Sequence, residues 1–269
     1  MRTVGICRFS YAGRGGFKVT HEDEAELATY LYNPERMEER FRLFEAITLP
    51  CVAKQTDPDF TFLIITGKWF PAEYLERLTK LTAHIPQCKI RQFPPRPHRI
   101  IMAKAINEWR GEPDEPCLQF RLDDDDAMAV SFVEKLKQTV DDLNGIRSRH
   151  GSIAIDYNQG YVFTAGTDGV KLWPYHYPYS AIALGMVVEA GNTDTIMSHG
   201  HQNLWKKMPT MTFTGEDMMM RGHNDFNDSR LKGKKNVFDY KTMNDAEAAH
   251  IRETFGIDNT HVKQVFSRP

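Results

Sequence analysis

Strand-like apolar segments alternate with amphipathic helical segments four times in the first half of the chain. The apolar run FTFLIIT at residues 60–66 is typical of a strand that is buried on both faces. The pattern predicts strands at residues 3–9, 60–66, 88–93 and 118–122, and helices beginning at 34 and spanning 71–83, 100–109 and 131–143. Such alternation indicates an α/β fold with a mostly parallel sheet and helices on both faces.

The second half of the chain has a different pattern. In the first half, residues 10–33 are predicted to form a loop with a short helix. No internal repeat or low-complexity linker separates the two halves. We therefore expect a single domain over residues 1–269. Beyond residue 150, the predicted strands are 152–156, 160–164 and 181–188, and the predicted helices are 216–221 and 245–255.

Charge and composition exclude several classes of protein. The 34 Lys and Arg residues nearly balance the 36 Asp and Glu residues, leaving a net charge of −2 and no electrostatic reason to bind nucleic acid. No apolar run approaches the roughly 20 residues that span a bilayer, so we expect no transmembrane segment, and the first ten residues resemble a strand more than a signal peptide. The 4 cysteines are far apart and lack a C-x-x-C pair. We expect reduced, buried thiols in a cytoplasmic protein.

Four consecutive aspartates, residues 123–126, follow the predicted strand 118–122 and precede a predicted helix. Ligands of open parallel sheets bind at the carboxyl ends of the strands. Four adjacent carboxylates would repel one another and raise their pKa values unless a cation neutralised them. Mg²⁺ and similar ions are commonly held by one or two carboxylates together with substrate phosphates. The run therefore predicts a divalent metal site, with a solvated acidic turn as the alternative.

The order of these motifs resembles a known family. The D-x-D at a strand end, the segment FRLFEAITLPCVAKQTDPDFTFLIITG and the segment LDDDDAMAVSFVEKL are similar to those of GT-A-fold glycosyltransferases. The closest resemblance is to the bacterial putative rhamnosyltransferase family, over residues 3–145. It implies a GT-A-like, Rossmann-like sheet, with a nucleotide-sugar-binding half at 1–145 and an acceptor-binding half at 146–269.

The resemblance also implies roles for the aspartates. Asp125 would be the main ligand of Mn²⁺ or Mg²⁺, Asp123 would face the ribose or the metal, and Asp126 would lie beside the metal. The ion would bridge the two phosphates of the donor and stabilise the leaving diphosphate. Because four aspartates stand in a row, the register is open, and Asp124 with Asp126 is the alternative metal pair.

Two arginines are candidates for binding the donor. Arg8 ends the first predicted strand, where a positive charge would serve the base or a phosphate of the nucleotide; an ion pair with the aspartates is the alternative. Arg99 stands just before a helix, and a helix N-terminus with adjacent cations suits a diphosphate. The alternative for Arg99 is an exposed basic loop.

The segment TFTGEDMMMRGHNDFNDS at residues 212–229 supplies further candidates. Asp217, and secondly Glu216, resemble the E-D pair that provides a general base in inverting family members. The alternative is that both carboxylates favour a helix N-terminus through its dipole. His223 is a candidate late metal ligand, with His199 and His201 as others. The aromatic stretch 173–179 would either stack on sugars or pack against the core.

The resulting hypothesis is a metal-dependent, inverting glycosyltransferase. It would move a sugar, for which the resemblance suggests rhamnose, from a nucleotide-diphosphate donor to a hydroxyl of a glycan or glycolipid acceptor. A metal-dependent phosphohydrolase or nucleotidyltransferase is the first alternative, because such enzymes also gather aspartates at strand ends. A non-catalytic sugar- or calcium-binding module is the second. The chain has no G-x-x-x-x-G-K-[ST] loop, which excludes a P-loop enzyme.

Overall fold

Two β-sheets form the framework of the molecule. The structure is a computed structural model, and it describes residues 1–13, 24–226 and 238–268. The strands are β1 Arg2–Arg8, β2 Thr61–Gly67, β3 Cys88–Phe93, β4 Cys117–Arg121, β5 Ala127–Met128, β6 Ser152–Tyr157, β7 Gln159–Gly166, β8 Gly169–His176, β9 Leu184–Val188, β10 Thr210–Phe213, β11 Met219–Gly222 and β12 Lys241–Thr242.

Helices follow most of the predicted positions. They are α1 Glu24–Leu31, α2 Pro34–Leu43, α3 Leu49–Ala53, α4 Ala72–Thr82, α5 His98–Arg110, α6 Phe132–Asp142, α7 Asn144–His150, α8 Asp245–Phe255 and α9 Asn259–Phe266, with a π-helical turn at Phe44–Thr48 and a 3₁₀ helix at His201–Lys206. Helix α1 lies in the predicted loop at 10–33, of which residues 14–23 fall outside the described ranges. No helix in the described part of the chain is long and apolar enough to cross a membrane.

The larger sheet has seven strands in the order β10-β6-β9-β4-β1-β2-β3. Strands β1 to β4 all run parallel, with β1 between β2 and β4, while β9 joins antiparallel between β4 and β6. This confirms the predicted α/β class with a mostly parallel sheet flanked by helices. Because β1 and β4 are neighbours, the aspartate run after β4 lies beside the end of β1 at the centre of the sheet.

The large sheet is buried on both faces. In β2, Phe62 and Ile64 belong to one hydrophobic cluster, whereas Leu63 and Ile65 belong to another. The first cluster extends from Cys7 in β1 to residues of α8 and α9, so both halves of the chain share a core. All four cysteines are free, and three of them are buried, as the sequence predicted.

The second sheet has the order β12-β8-β7-β11-β5, and it corrects one prediction from the sequence. Residues 216–221 were predicted as a helix, but Met219–Gly222 form strand β11, paired antiparallel with β5 and parallel with β7. The buried side chains of Met218, Met219 and Met220 fill the core from an extended backbone. Much of the aromatic stretch at 173–179 is strand β8, in a hairpin with β7.

A glycine in β1 allows the two central strands beside it to pack. A methyl group at Gly5 would collide with the ring of Phe120 and crowd Phe62. We predict that Gly5→Ala lowers the free energy of unfolding by about 1–3 kcal/mol, the usual effect of overpacking a core. Gly166→Ala is the matched control, because a Cβ there meets nothing within 4 Å. Urea unfolding of both variants checks this, and equal effects would contradict it.

Candidate functional site

The aspartate run lies in a tight connection between β4 and β5. The amide of Leu122 still pairs with the carbonyl of Ile6 in β1 at 3.1 Å, and the amide of Asp126 bonds to the carbonyl of Asp123 at 3.3 Å. Asp124, Asp125 and Asp126 are buried, whereas the Asp123 side chain is 23% exposed. The strand pairing therefore fixes the run at the carboxyl end of β4, with Asp123 as its most open member.

Arg40 of helix α2 provides a buried counter-charge. Its Nη1 lies 2.9 Å from an oxygen of Asp124 and 2.9 Å from an oxygen of Asp125, and its Nη2 donates to the carbonyl of Phe226 at 2.7 Å. Burial nevertheless raises the pKa of Asp124 to about 6, because the opposing effect of Arg40 is smaller and Asp125 adds repulsion. One arginine therefore does not fully neutralise the run.

Asp126 is held from two further sides. Its side chain accepts a hydrogen bond from the amide of Gly222 at 2.9 Å, and its carbonyl accepts one from the Thr48 hydroxyl at 2.9 Å. Thr48 belongs to the π-helical turn, a feature often found near functional sites. Burial, followed by repulsion from Asp125 and Asp123, raises the pKa of Asp126 well above its usual range.

A cavity of about 260 Å³ opens beside Asp123. Asp123 lies 3.4 Å from Arg121, and although burial would raise its pKa, Arg121 and Arg8 outweigh that effect and lower it. The structure thus brings the three predicted donor-binding residues, Arg8, Arg99 and Asp123, to one cavity. His98, Arg121 and His201 are among its other lining residues.

His201 is a neutral acceptor in this cavity. Its Nδ1 lies 2.5 Å from the carbonyl of Tyr179, which can only accept, so Nδ1 carries the hydrogen. Burial lowers the pKa of His201. Tyr179 has a left-handed backbone, with φ of 57°, and its amide bonds to the buried carboxylate of Asp156 at 3.0 Å. The sequence analysis gave His201 as a further candidate metal ligand beside His223. The structure places His201 in the same cavity as Asp123.

The oxygen donors of the run suit Mg²⁺ or Mn²⁺. Asp123 faces the cavity, and Asp125 is held against Arg40 by one carboxylate oxygen. Burial is the main cause of the raised pKa values of Asp124 and Asp126, and repulsion from neighbouring carboxylates adds to it; a bound cation would oppose both effects. Within residues 1–13, 24–226 and 238–268, no three His, Cys, Asp or Glu side chains converge on one point. Metal binding by the run therefore stays a prediction.

His223 lies near the run in space, although it is far from it along the chain. It follows Gly222, whose amide bonds to Asp126, and its Nδ1 lies 2.5 Å from the hydroxyl of Tyr240. The ring of His223 also meets the rings of Phe238 and Tyr240 at centroid distances of 5.9 and 6.0 Å. The structure thus places His223 near the aspartates but within an aromatic cluster, and its metal-binding role stays a prediction.

Asp217 and Glu216 lie at the opposite end of β11 from the aspartates. Asp217 precedes Gly222 by five residues, which span at most about 16 Å in a fully extended chain. A general base must come within hydrogen-bonding reach of the proton that it removes. Glu216 forms an ion pair with Lys135 of α6 instead. Neither carboxylate forms a hydrogen bond or ion pair with the run in the described part of the chain, and their role as a base stays a prediction.

Comparison with known proteins identifies the family. The family model described as putative rhamnosyl transferase matches residues 2–236. The chain belongs to that family. No curated protein matches the chain.

The solved structures that resemble this rhamnosyl transferase family member share little sequence identity with it. Staphylococcus aureus TarS 1-349 in complex with UDP-GlcNAc is 10% identical, with a TM-score of 0.43, over 85% of this chain and 60% of that one. A protein from Bacillus anthracis described as a putative glucose-1-phosphate thymidylyltransferase is 10% identical, with a TM-score of 0.40, over 81% of this chain and 88% of that one. The chain spans about three fifths of the length of TarS 1-349.

The sequence analysis missed Arg40, which holds the aspartates of this family member in place. Replacing Arg40 by Met leaves buried carboxylates without their partner, and we predict a loss of about 3–5 kcal/mol of unfolding free energy near neutral pH. The loss should shrink near pH 5, because carboxyl groups with a raised pKa are protonated first and then need no counter-charge.

Urea unfolding at both pH values measures this effect. Arg42→Met is the matched control on the same helix, since Arg42 makes a partly exposed ion pair with Glu38, which is worth about 1 kcal/mol or less, and its bonds to the carbonyls of Phe266 and Arg268 involve no buried carboxylate. A loss for Arg40→Met that is as small as that of the control, or that grows on acidification, would contradict the assigned role.

Proposed function

We propose that this rhamnosyl transferase family member is a metal-dependent glycosyltransferase. It transfers a sugar, which the family description names as rhamnose, from a nucleotide-diphosphate donor to a hydroxyl of a glycan or glycolipid. The observation that carries this proposal is the cavity at the ends of β1 and β4, where Arg8, Arg99 and Asp123 meet. Family membership supports the reaction class.

The cavity has the charges that a nucleoside diphosphate requires. Arg8 and Arg121 come from the ends of two neighbouring parallel strands, and Arg99 is in the first turn of α5. The positive dipole end of that 13-residue helix favours an anion at the same place. In the proposal, these three arginines orient the diphosphate, and Asp123 accepts a hydrogen bond from a hydroxyl of the ribose.

Asp123 and Asp125 would hold the divalent cation, which when bound neutralises charge on the diphosphate. Arg40 is a positioning residue in this scheme, since it holds Asp124 and Asp125 through its Nη1. The chain around the run excludes water from the carboxylates, because Asp124 to Asp126 are each at most 6% exposed. Electrostatic interactions in such a site are stronger than they are in water.

The acceptor would approach from the aromatic side of the site. Tyr175 and Tyr177 stack with centroids 5.5 Å apart, and Phe238 meets Tyr175 edge-on. A single displacement would break the bond from the anomeric carbon to the diphosphate oxygen and form a bond to the acceptor oxygen, with inversion. The acceptor proton would pass to a base that this proposal does not place at Asp217 or Glu216.

The test is calorimetric titration with dTDP, UDP and GDP, each with and without Mn²⁺. We predict that one nucleotide binds, that binding requires Mn²⁺, and that Asp125→Asn weakens it by about ten-fold or more. Asp168→Asn is the matched control, because Asp168 is 75% exposed on the β7–β8 turn. Binding without Mn²⁺, or equal binding by Asp125→Asn, would contradict the metal assignment.

The reaction class needs a separate readout. Incubation with dTDP-rhamnose and an oligosaccharide acceptor, followed by ³¹P NMR and mass spectrometry, should show free dTDP together with a product heavier by one deoxyhexose. Release of dTDP or inorganic phosphate without a glycosylated product would favour the hydrolase alternative instead.

A further inference from the structure

A second cavity, of about 790 Å³, lies between the smaller sheet and helix α8. Its sheet side includes Tyr161 of β7 and Trp173 of β8, and its helix side includes Glu247 and His250 of α8. This volume is within the range of about 300–1,000 Å³ that ligand sites occupy. The cavity contains Asp217, so it lies at the opposite end of β11 from the aspartate run.

Asp217 is the organised polar centre of this cavity. One carboxylate oxygen accepts from the Gln159 amide at 3.0 Å, and the other accepts from the Tyr161 hydroxyl at 2.8 Å and from His250 Nε2 at 2.9 Å. These donors come from a strand and a helix that are far apart in sequence. Although burial would raise the pKa of Asp217, the hydrogen bonds lower it, so the carboxylate stays ionised.

The charges of the cavity argue against a second phosphate or nucleotide site. Asp217 and Glu247 are carboxylates, and Lys241 is the one lysine among the lining residues of the described chain. An anion would therefore meet more negative than positive charge. A neutral ligand with many hydroxyl groups fits better, because carboxylates accept hydrogen bonds and imidazoles accept or donate them without requiring a charged partner.

The remaining surface of the cavity is apolar and partly aromatic. Trp173, Tyr161, Leu172, Pro174 and Ile251 line it together with the polar groups. The C–H faces of sugar rings pack against aromatic side chains, while their hydroxyl edges bond to carboxylates. We propose that this cavity is a carbohydrate-binding site that holds an oligosaccharide segment of the acceptor. The assignment to the acceptor rests on the proposed function; the carbohydrate class rests on the cavity itself.

The separation of the two cavities gives the site a role. Because Asp217 precedes β11, whereas Gly222 ends this strand beside Asp126, the second cavity holds a part of the glycan that is remote from the reacting hydroxyl. Binding energy from such remote contacts positions the reacting end of a substrate. The site would therefore make oligosaccharides better acceptors than single sugars.

The experiment measures oligosaccharide binding without nucleotide or metal. Saturation-transfer difference NMR is run on the whole protein with a linear trirhamnoside, maltotriose and cellotriose as probes. We expect at least one trisaccharide to bind, and Trp173→Ala and Asp217→Asn to weaken its binding by about ten-fold or more. Trp205→Ala and Glu253→Gln are the controls, because both side chains are exposed and neither lines the cavity.

A further variant changes the cavity with a smaller risk of unfolding the protein. Glu247→Gln removes a charge at the cavity but retains the capping box with Asn244, because glutamine serves that position too. Thermal unfolding of each variant identifies those that remain folded. No binding of any trisaccharide to the wild type, or equal binding by all folded cavity variants, would overturn the proposal.

The two proposals fail separately. If the trisaccharide binds but no nucleotide does, the proposed transferase function fails and the carbohydrate site stands. If a nucleotide binds with Mn²⁺ but no trisaccharide binds, the carbohydrate site fails and the donor site stands.

Discussion

The ion pairs between Arg40 and the aspartates are the contacts on which the rest of the site depends. Four adjacent carboxyl groups at the end of a buried strand repel one another, and three of them are almost inaccessible to water. Arg40 reaches them from helix α2, more than eighty residues away in sequence, at 2.9 Å. Removing one partner of such a buried pair is far more damaging than breaking an exposed one.

The elements around the run also hold the aspartates in place. The π-helical turn presents Thr48 to the carbonyl of Asp126, and strand β11 presents the amide of Gly222 to its side chain. A Cβ at Gly222 would collide with the carbonyl oxygen of Asp125, so only glycine allows β11 to approach this closely. The run is thus rigidly held on three sides, and Asp123 is left facing the cavity.

Strand β11 runs between the two proposed binding sites. Its Gly222 end borders the aspartates, and its Met219 end is near Asp217 and the larger cavity. A donor at one end and a glycan segment at the other would place the reacting hydroxyl between them. The stacked rings of Tyr175 and Tyr177, with Phe238 beside them, provide an aromatic surface near His223 for the intervening sugars.

The parts of the fold that follow local patterns were predictable from the sequence. The continuous apolar run of β2 indicates a buried strand, and the helix at Asp245–Phe255 has the bounds that the sequence predicted. Ligands of parallel sheets bind at the carboxyl ends of the strands, and this is where the structure places both the aspartates and Arg8. The analysis missed Arg40, although Arg36 and Arg40, four residues apart on an otherwise apolar helix face, are a visible signal of buried charge.

Other features depend on long-range pairing that no local pattern reveals. Residues 219–222 form a strand because β5 and β7 offer partners on both sides, which overrides their helical periodicity. Asp217 bonds to Gln159, Tyr161 and His250, contacts that its resemblance to an E-D base motif could not show. The proximity of His201 to Asp123 likewise follows from the loop that Asp156 anchors through Tyr179.

In the proposed donor site, a divalent ion and a nucleoside diphosphate share the cavity at the ends of β1 and β4. The most direct measurement is a crystal structure with Mn²⁺ and dTDP, recorded at a wavelength where manganese scatters anomalously. The account predicts one anomalous peak bonded to carboxylate oxygens of Asp123 or Asp125, with the diphosphate beside Arg8 and Arg99. A peak at Asp217, or a nucleotide in the larger cavity, would contradict it.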